Sequence, residues 1–273
     1  MAKSDKDVQI LQALIAAREE HKELTELLDF YHDLYEVQFE AKAEIADPEM
    51  RDELAMRWRL EGGIPQLTFD QMGIETEYFG RLVERVTQVL ERHNPGWERA
   101  HEFQSAEFVA MAREVFESWD TLTAPRPDAQ VGSELQLEHP TALTVGFALA
   151  PYLQRAAEAL LPHLDLSIWT YSYCPICGGR PNLALLEPNG TRQLLCSRCN
   201  ALWPYSRVGC PFCRSKELQW YYPSKDGAHR LYVCPVCHQY LKTVVVELRP
   251  TMIPVVERLL TVGIDLVARQ QEL

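Results

Sequence analysis

The stretch Cys174-Pro175-Ile176-Cys177-Gly178 and its successors Cys196-Ser197-Arg198-Cys199, Cys210-Pro211-Phe212-Cys213 and Cys234-Pro235-Val236-Cys237 hold all eight cysteines of the 273-residue chain. A C-x-x-C puts two thiolates on one tight loop so that both can face one ion, and a tetrahedral site needs a second such loop opposite. The residues between the pairs supply that opposition. Leu183 to Leu186, the pair Asn189-Gly190 and Gln193 to Leu195 lead from the first knuckle to the second. Leu218 to Tyr222, Asp226-Gly227 and Arg230 to Val233 lead from the third to the fourth. Asn-Gly and Asp-Gly between apolar runs signal hairpins, because both positions tolerate the positive φ of the turn. The turn begins 15 residues after the first cysteine in one segment and 16 in the other, so the region reads as an internal duplication. Sequential pairing is expected: Cys174 and Cys177 with Cys196 and Cys199, then Cys210 and Cys213 with Cys234 and Cys237.

Other uses of cysteine fit less well. Disulfide frameworks belong to small secreted chains, and a redox C-x-x-C of the thioredoxin kind needs a βαβ setting that these hairpins do not offer. Cys234-Pro235-Val236-Cys237-His238 matches the haem-attachment pattern, but the other three pairs lack the histidine. Two structural four-cysteine metal sites remain, with zinc as the default ion and rubredoxin-type iron equally suited to four sulfurs. The C-P-x-C-G form at Cys174 to Gly178 is that of a rubredoxin knuckle. The Cys210 knuckle lacks the glycine.

Outward from this segment the chain changes character. Residues 5 to 165 read as nearly all helical: Val8, Leu11, Leu14 and then Leu24, Leu28, Tyr31, Leu34 recur at helical spacing between acidic residues. Breaks are expected at Pro48, at Gly62-Gly63-Ile64-Pro65 and at Asn94-Pro95-Gly96. Thr76 and Ser105 are candidate caps for helices carrying Phe79 to Leu90 and Phe108 to Trp119. A loop spans 120 to 139, and Pro151 should kink the helix from Ala142 to Leu161. Residues 250 to 271 form a last helix whose apolar face would dock back on the helical half. The fold class is therefore α+β, with a helical domain over 1–168, a first metal ribbon over 169–208, a second over 209–249 and a C-terminal helix over 250–273.

Charge divides along the same line. Residues 1 to 165 carry 15 Lys and Arg against 32 Asp and Glu, and residues 166 to 273 carry 12 against 7. The acidic half would be repelled by phosphate; the basic half keeps nucleic acid open as a partner. Two tetrathiolate sites would each add negative charge, so many of these arginines would serve to balance the clusters. No run of apolar residues reaches the length of a membrane span. Val8 to Ala17 reads as the start of an amphipathic helix rather than an export signal, which makes the cytoplasm the expected compartment. No phosphate loop, nucleophile elbow or paired-carboxylate motif is present, and the eight histidines show no ligand spacing, so no enzyme activity is expected.

Several features together resemble the bacterial formate dehydrogenase accessory protein family (FdhE-like). They are Cys174 to Pro181, Cys196 to Cys199 followed by Trp203, Arg207-Val208-Gly209 before the third knuckle, and Gln239-Tyr240-Leu241-Lys242 after the fourth. The resemblance is specific over residues 169–249 and looser elsewhere. It implies a cytoplasmic maturation factor that binds the catalytic subunit of formate dehydrogenase, with rubredoxin-like iron sites and no catalysis of its own. By the same analogy Trp203, Tyr205, Arg207, Tyr240 and Lys242 are candidate client contacts, although for Trp203 and Tyr240 packing of the two ribbons is the favoured role. A nucleic-acid-binding zinc ribbon using Arg198, Arg207, Arg214, Arg230 and Lys242, and a thiol redox protein with one C-x-x-C free of metal, are the alternatives.

Overall fold

Three of the helix starts in this chain are fixed by side chains that satisfy orphan amides. Ser4 accepts from the Asp7 amide at 3.2 Å and opens α1 (Asp5–Glu20), and Asp52 accepts from the Ala55 amide at 2.8 Å to open α3 (Glu53–Glu61). At α4 (Thr76–His93) the cap is Glu75 rather than Thr76: its carboxylate accepts from the amides of Glu77 and Tyr78. A carboxylate there also meets the positive end of the helix dipole. Ser105 is the first residue of α5 (Ser105–Leu122), and its hydroxyl donates to Glu77 instead of capping. The remaining helices are α2 (Thr25–Glu44), α6 (Pro140–Leu160), α7 (Pro254–Leu260) and α8 (Val262–Gln270). The computed structural model describes residues 3–97, 103–122, 140–217 and 219–270. The expected loop is outside them from 123 to 139, as are Leu218 and the side chain of Trp119.

Two units emerge. One comprises Met1–Glu49 with Leu67–Ala156, the other Met50–Gln66 with Ala157–Leu273. In the first, α4 buries Phe79, Leu82, Val83, Val86 and Leu90, the stripe its periodicity foretold. Lys42 of α2 meets Asp7 of α1 at 2.5 Å with both side chains buried. Pro151 stands inside α6, which continues to Leu160. Proline has no N–H for the carbonyl of Phe147, and the buried amide of Gln38 donates to that oxygen at 2.8 Å.

The second unit is built on one six-stranded sheet, order β3-β2-β1-β6-β5-β4. Its strands are β1 (Pro181–Leu186), β2 (Arg192–Cys196), β3 (Leu202–Tyr205), β4 (Trp220–Pro223), β5 (His229–Val233) and β6 (Tyr240–Val245). Both expected hairpins are present, β1–β2 around Gly190 (φ 82°) and β4–β5 around Gly227 (φ 72°). Each ribbon also gains a third strand after its returning knuckle. The two ribbons repeat by translation along the sheet, 3-2-1 then 6-5-4, so the last strand of one runs parallel to the first of the other. Ala184, Leu185 and Leu186 accordingly pair in parallel with Thr243, Val244 and Val245.

The segment expected as one last helix is two, α7 and α8, interrupted at Thr261, whose hydroxyl donates to the Glu257 carbonyl. The apolar residues of α8 pack on the sheet: Ala268 and Ile264 lie with Leu231, Val233 and Tyr240. Residues 50–66 lie beside the first knuckle. There the Gln66 amide donates to the Pro175 carbonyl at 2.8 Å, and the Tyr173 hydroxyl donates to the Gly63 carbonyl. Gly63 has φ 68°, and a Cβ there would sit 2.4 Å from the Tyr171 ring, so only glycine fits. No helix among the described residues is long and apolar enough to cross a membrane.

Candidate metal centres

Each C-x-x-C closes on a left-handed residue one place after its second cysteine: Gly178 (φ 74°), Asn200 (φ 59°), Arg214 (φ 62°) and His238 (φ 57°). That turn lets the chain fold back on itself. The amides of Gly178, Arg214 and His238 donate to the carbonyls of Cys174, Cys210 and Cys234, each at 3.0 Å. The amides of Cys174, Cys196, Cys210 and Cys234 donate to Gly179, Ala201, Ser215 and Gln239. Amides of Arg198 and Phe212 point at the sulfurs of Cys196 and Cys210, at 3.4 and 3.3 Å. His238 thus holds the position that Gly178 holds in the first knuckle. The missing glycine at Arg214 does not change the third knuckle's geometry.

The pairing is sequential. Cys174, Cys177, Cys196 and Cys199 form one group and Cys210, Cys213, Cys234 and Cys237 the other, all four sulfurs of each lying within 4.8 Å of one another. The cross-knuckle sulfur distances are 3.5 Å for Cys174–Cys199 and Cys177–Cys196, and 3.6 Å for Cys210–Cys237 and Cys213–Cys234. Four sulfurs at about 2.3 Å from a central ion stand about 3.8 Å apart, so the donor set fits one tetrahedral ion per cluster. The clusters differ in surroundings: the first is buried throughout, whereas Cys213 is exposed and Cys237 half-buried in the second.

The thiols are not independent. Burial pushes Cys174 and Cys199 up, while hydrogen bonds from the three neighbouring thiols hold Cys177 down. In the second cluster, burial pushes Cys210 up and takes Cys237 to about 11. Cys234 is lowered: burial opposes ionisation there, but the Cys237 and Val236 amides and neighbouring thiols outweigh it. Mutual repulsion keeps the four from ionising together until a cation takes the place of their protons.

Arginines line the clusters. Buried Arg198 reaches the Cys177 carbonyl at 3.4 Å, and Arg258 of α7 reaches the Cys196 carbonyl at 3.4 Å. Buried Arg192, on β2 of the first ribbon, donates to the Gly209 carbonyl at 2.9 Å and lies over the Tyr205 ring at 5.2 Å. It brings a positive charge next to the second ribbon's first cysteine, a role no local motif announces. The candidate contact residues separate. Trp203 (0% exposed) and Lys242 (4%) lie inside the fold, the latter paired to Asp265 at 2.6 Å. Tyr205 and Tyr240 are half-buried and Arg207 is exposed. Sequence reading missed Trp220, Tyr221 and Tyr222, three consecutive exposed aromatics on the edge strand β4.

Comparisons with known proteins agree with this fold. Over 138 residues the chain is 33% identical to the Protein FdhE homolog of Stutzerimonas stutzeri, covering 45% of each. Over 110 residues it is 29% identical to that of Aquifex aeolicus, covering 38% of this chain and 39% of that one. The crystal structure of the FdhE protein from Pseudomonas aeruginosa superposes with a TM-score of 0.65 at 20% identity, over 99% of this chain and 93% of that one. The chain resembles FdhE proteins, in sequence over less than half its length and in fold over nearly all of it. No family model matches it, and the chain spans about half the length of the curated relatives it matches. At 20% identity the structural match establishes the fold alone.

Proposed function

We propose that this protein is a cytoplasmic accessory factor that binds the catalytic subunit of a formate dehydrogenase and assists its maturation, without catalysing a reaction itself. Each four-cysteine cluster would hold one metal ion, iron or zinc, which supplies fixed charge and cross-links two knuckles that are too small to fold alone. The observation that carries the reading is a pair of tetrathiolate cages on an FdhE-like fold.

The client surface proposed is the one around the more open second cluster. Arg207, Val208 (61% exposed), Val236 and the β4 aromatics lie on the surface there, and β4 ends the sheet with an edge unpaired among the described residues. Exposed aromatics beside an open strand edge suit a protein partner, which can add main-chain hydrogen bonds and fill side-chain pockets. One observation favours a second reading: Arg230 stacks on Tyr221 at 5.0 Å, and paired aromatic and basic groups also grip single-stranded nucleic acid.

The test is capture of the catalytic subunit by the metal-replete chain, by Arg207→Ala/Trp220→Ala and by Cys213→Ser, with metal measured on each sample. The double variant should keep both ions and lose capture by at least tenfold. Equal capture by that variant would remove the second-cluster surface from the proposal. Absence of capture by the unaltered chain, with salt-sensitive binding to a single-stranded oligonucleotide, would favour the nucleic-acid reading.

A further inference from the structure

The helical unit carries a cavity of about 530 Å³ between the C-terminal end of α2 and the start of α4. Its wall holds five carboxylates, Glu44, Asp47, Glu49, Asp70 and Glu75, against one cation, Arg81. Arg155 and Arg113 pair with Asp47 and Asp70. Glu44 accepts from the Tyr78 hydroxyl at 3.0 Å, and Glu75 caps α4. Glu49 has no ion-pair partner among the described residues.

A second observation gives this acidic wall a direction. Tyr152 lines the cavity, is 3% exposed, and its hydroxyl has no hydrogen-bond partner among the described residues. Burial takes such a group out of water without returning the hydrogen bond it had there. Burial, with Tyr78 and Glu75 nearby, raises its ionisation above the ordinary phenol range, so the hydroxyl stays neutral and offers a lone pair to an N–H donor. Tyr78, pushed up to about 12 mainly by burial, is neutral as well. A divalent metal would need several oxygens converging on one point, and among the described residues the acids of this cavity form no such group.

We propose that this cavity binds an alkyl-guanidinium or alkyl-ammonium group, the charged end of an arginine or lysine side chain, between Glu49, Glu44 and the Tyr152 hydroxyl. A planar guanidinium can donate to a carboxylate and a phenol at once, and the volume is of the size that encloses a small ligand.

Calorimetry on the full chain with N-acetyl-Ala-Arg-Ala-amide, its citrulline counterpart and agmatine tests this. The arginine peptide should bind saturably at one site and more weakly as salt rises, and the citrulline peptide should not bind. Tyr152→Phe and Glu49→Gln should each weaken binding tenfold or more. Tyr152→Phe should also melt no lower than the unaltered chain, since it removes an unmet hydroxyl while keeping the ring. Agmatine binding as tightly as the peptide would support the cation site and assign it to a free amine. Equal binding of the citrulline peptide, no saturable binding of either cation, or unchanged binding in both variants would overturn it.

Discussion

At the scale of single residues, the knuckles show chemistry overriding backbone preference. Three of the four left-handed positions are not glycine: Asn200, Arg214 and His238. A side chain there costs about 1–2 kcal/mol, less the chain entropy that glycine adds to the unfolded state. His238→Gly and Arg214→Gly are therefore each expected to stabilise the metal-replete protein by about 0.5–1 kcal/mol. His238→Ala and Arg214→Ala, which retain a Cβ, should give no such gain. Thermal melts of the four variants check this, and equal melting of the Gly and Ala forms would mean that the backbone is unstrained. The same substitution separates the haem-like reading of Cys234 to His238 from the knuckle reading, since only the knuckle tolerates loss of the imidazole.

Among elements, the decisive feature is the translational repeat of the two ribbons. A shared hydrogen-bonded junction, Ala184 to Leu186 with Thr243 to Val245, makes them one sheet. Leu183, Leu185, Leu195 and Val244 then form one apolar cluster drawn from both ribbons. Metal binding in small cysteine sites is worth on the order of 10 kcal/mol each, so emptying one cluster should loosen its neighbour across the junction. Cys174→Ser/Cys177→Ser is expected to lose half of the bound metal and to speed hydrogen exchange in β1 to β3 and also in β6. Exchange in β6 that matches the unaltered chain would show that each ribbon is held by its own ion alone.

For the molecule as a whole, acid stability is tied to a buried network in the second unit. Glu257 of α7 meets His229 of β5 at 2.6 Å and Arg249 at 3.1 Å. Burial alone would raise its carboxyl, but the His229 and Arg249 contacts outweigh it and hold the carboxyl below its ordinary value of 4.5. A carboxyl depressed by folding contributes stability above its unfolded pKa and loses it as pH falls through the folded one. Melting temperature should thus drop between about pH 5 and pH 3, and less steeply in Glu257→Gln. Parallel slopes in the two proteins would place the acid-sensitive groups elsewhere.

The sequence by itself determined the parts governed by local geometry. C-x-x-C spacing, Asn189-Gly190 and Asp226-Gly227 act over a few residues, and they fixed the knuckles, both hairpins and the partition of eight sulfurs into two cages. Helical periodicity fixed the buried stripe of α4 in the same way. What only the tertiary structure decided depends on residues far apart in the chain. The parallel junction of β1 with β6 was not legible, because six short strands could pair in several orders. Nor was the placing of residues 50–66 beside the first knuckle, which rests on Tyr171 and Tyr173 closing over a glycine more than a hundred positions earlier. Lys242 read as a surface cation and is buried, because Asp265 lies opposite it at 2.6 Å. Burial of a charge is set by its partner, and a partner 23 residues away leaves no mark on the sequence around the lysine.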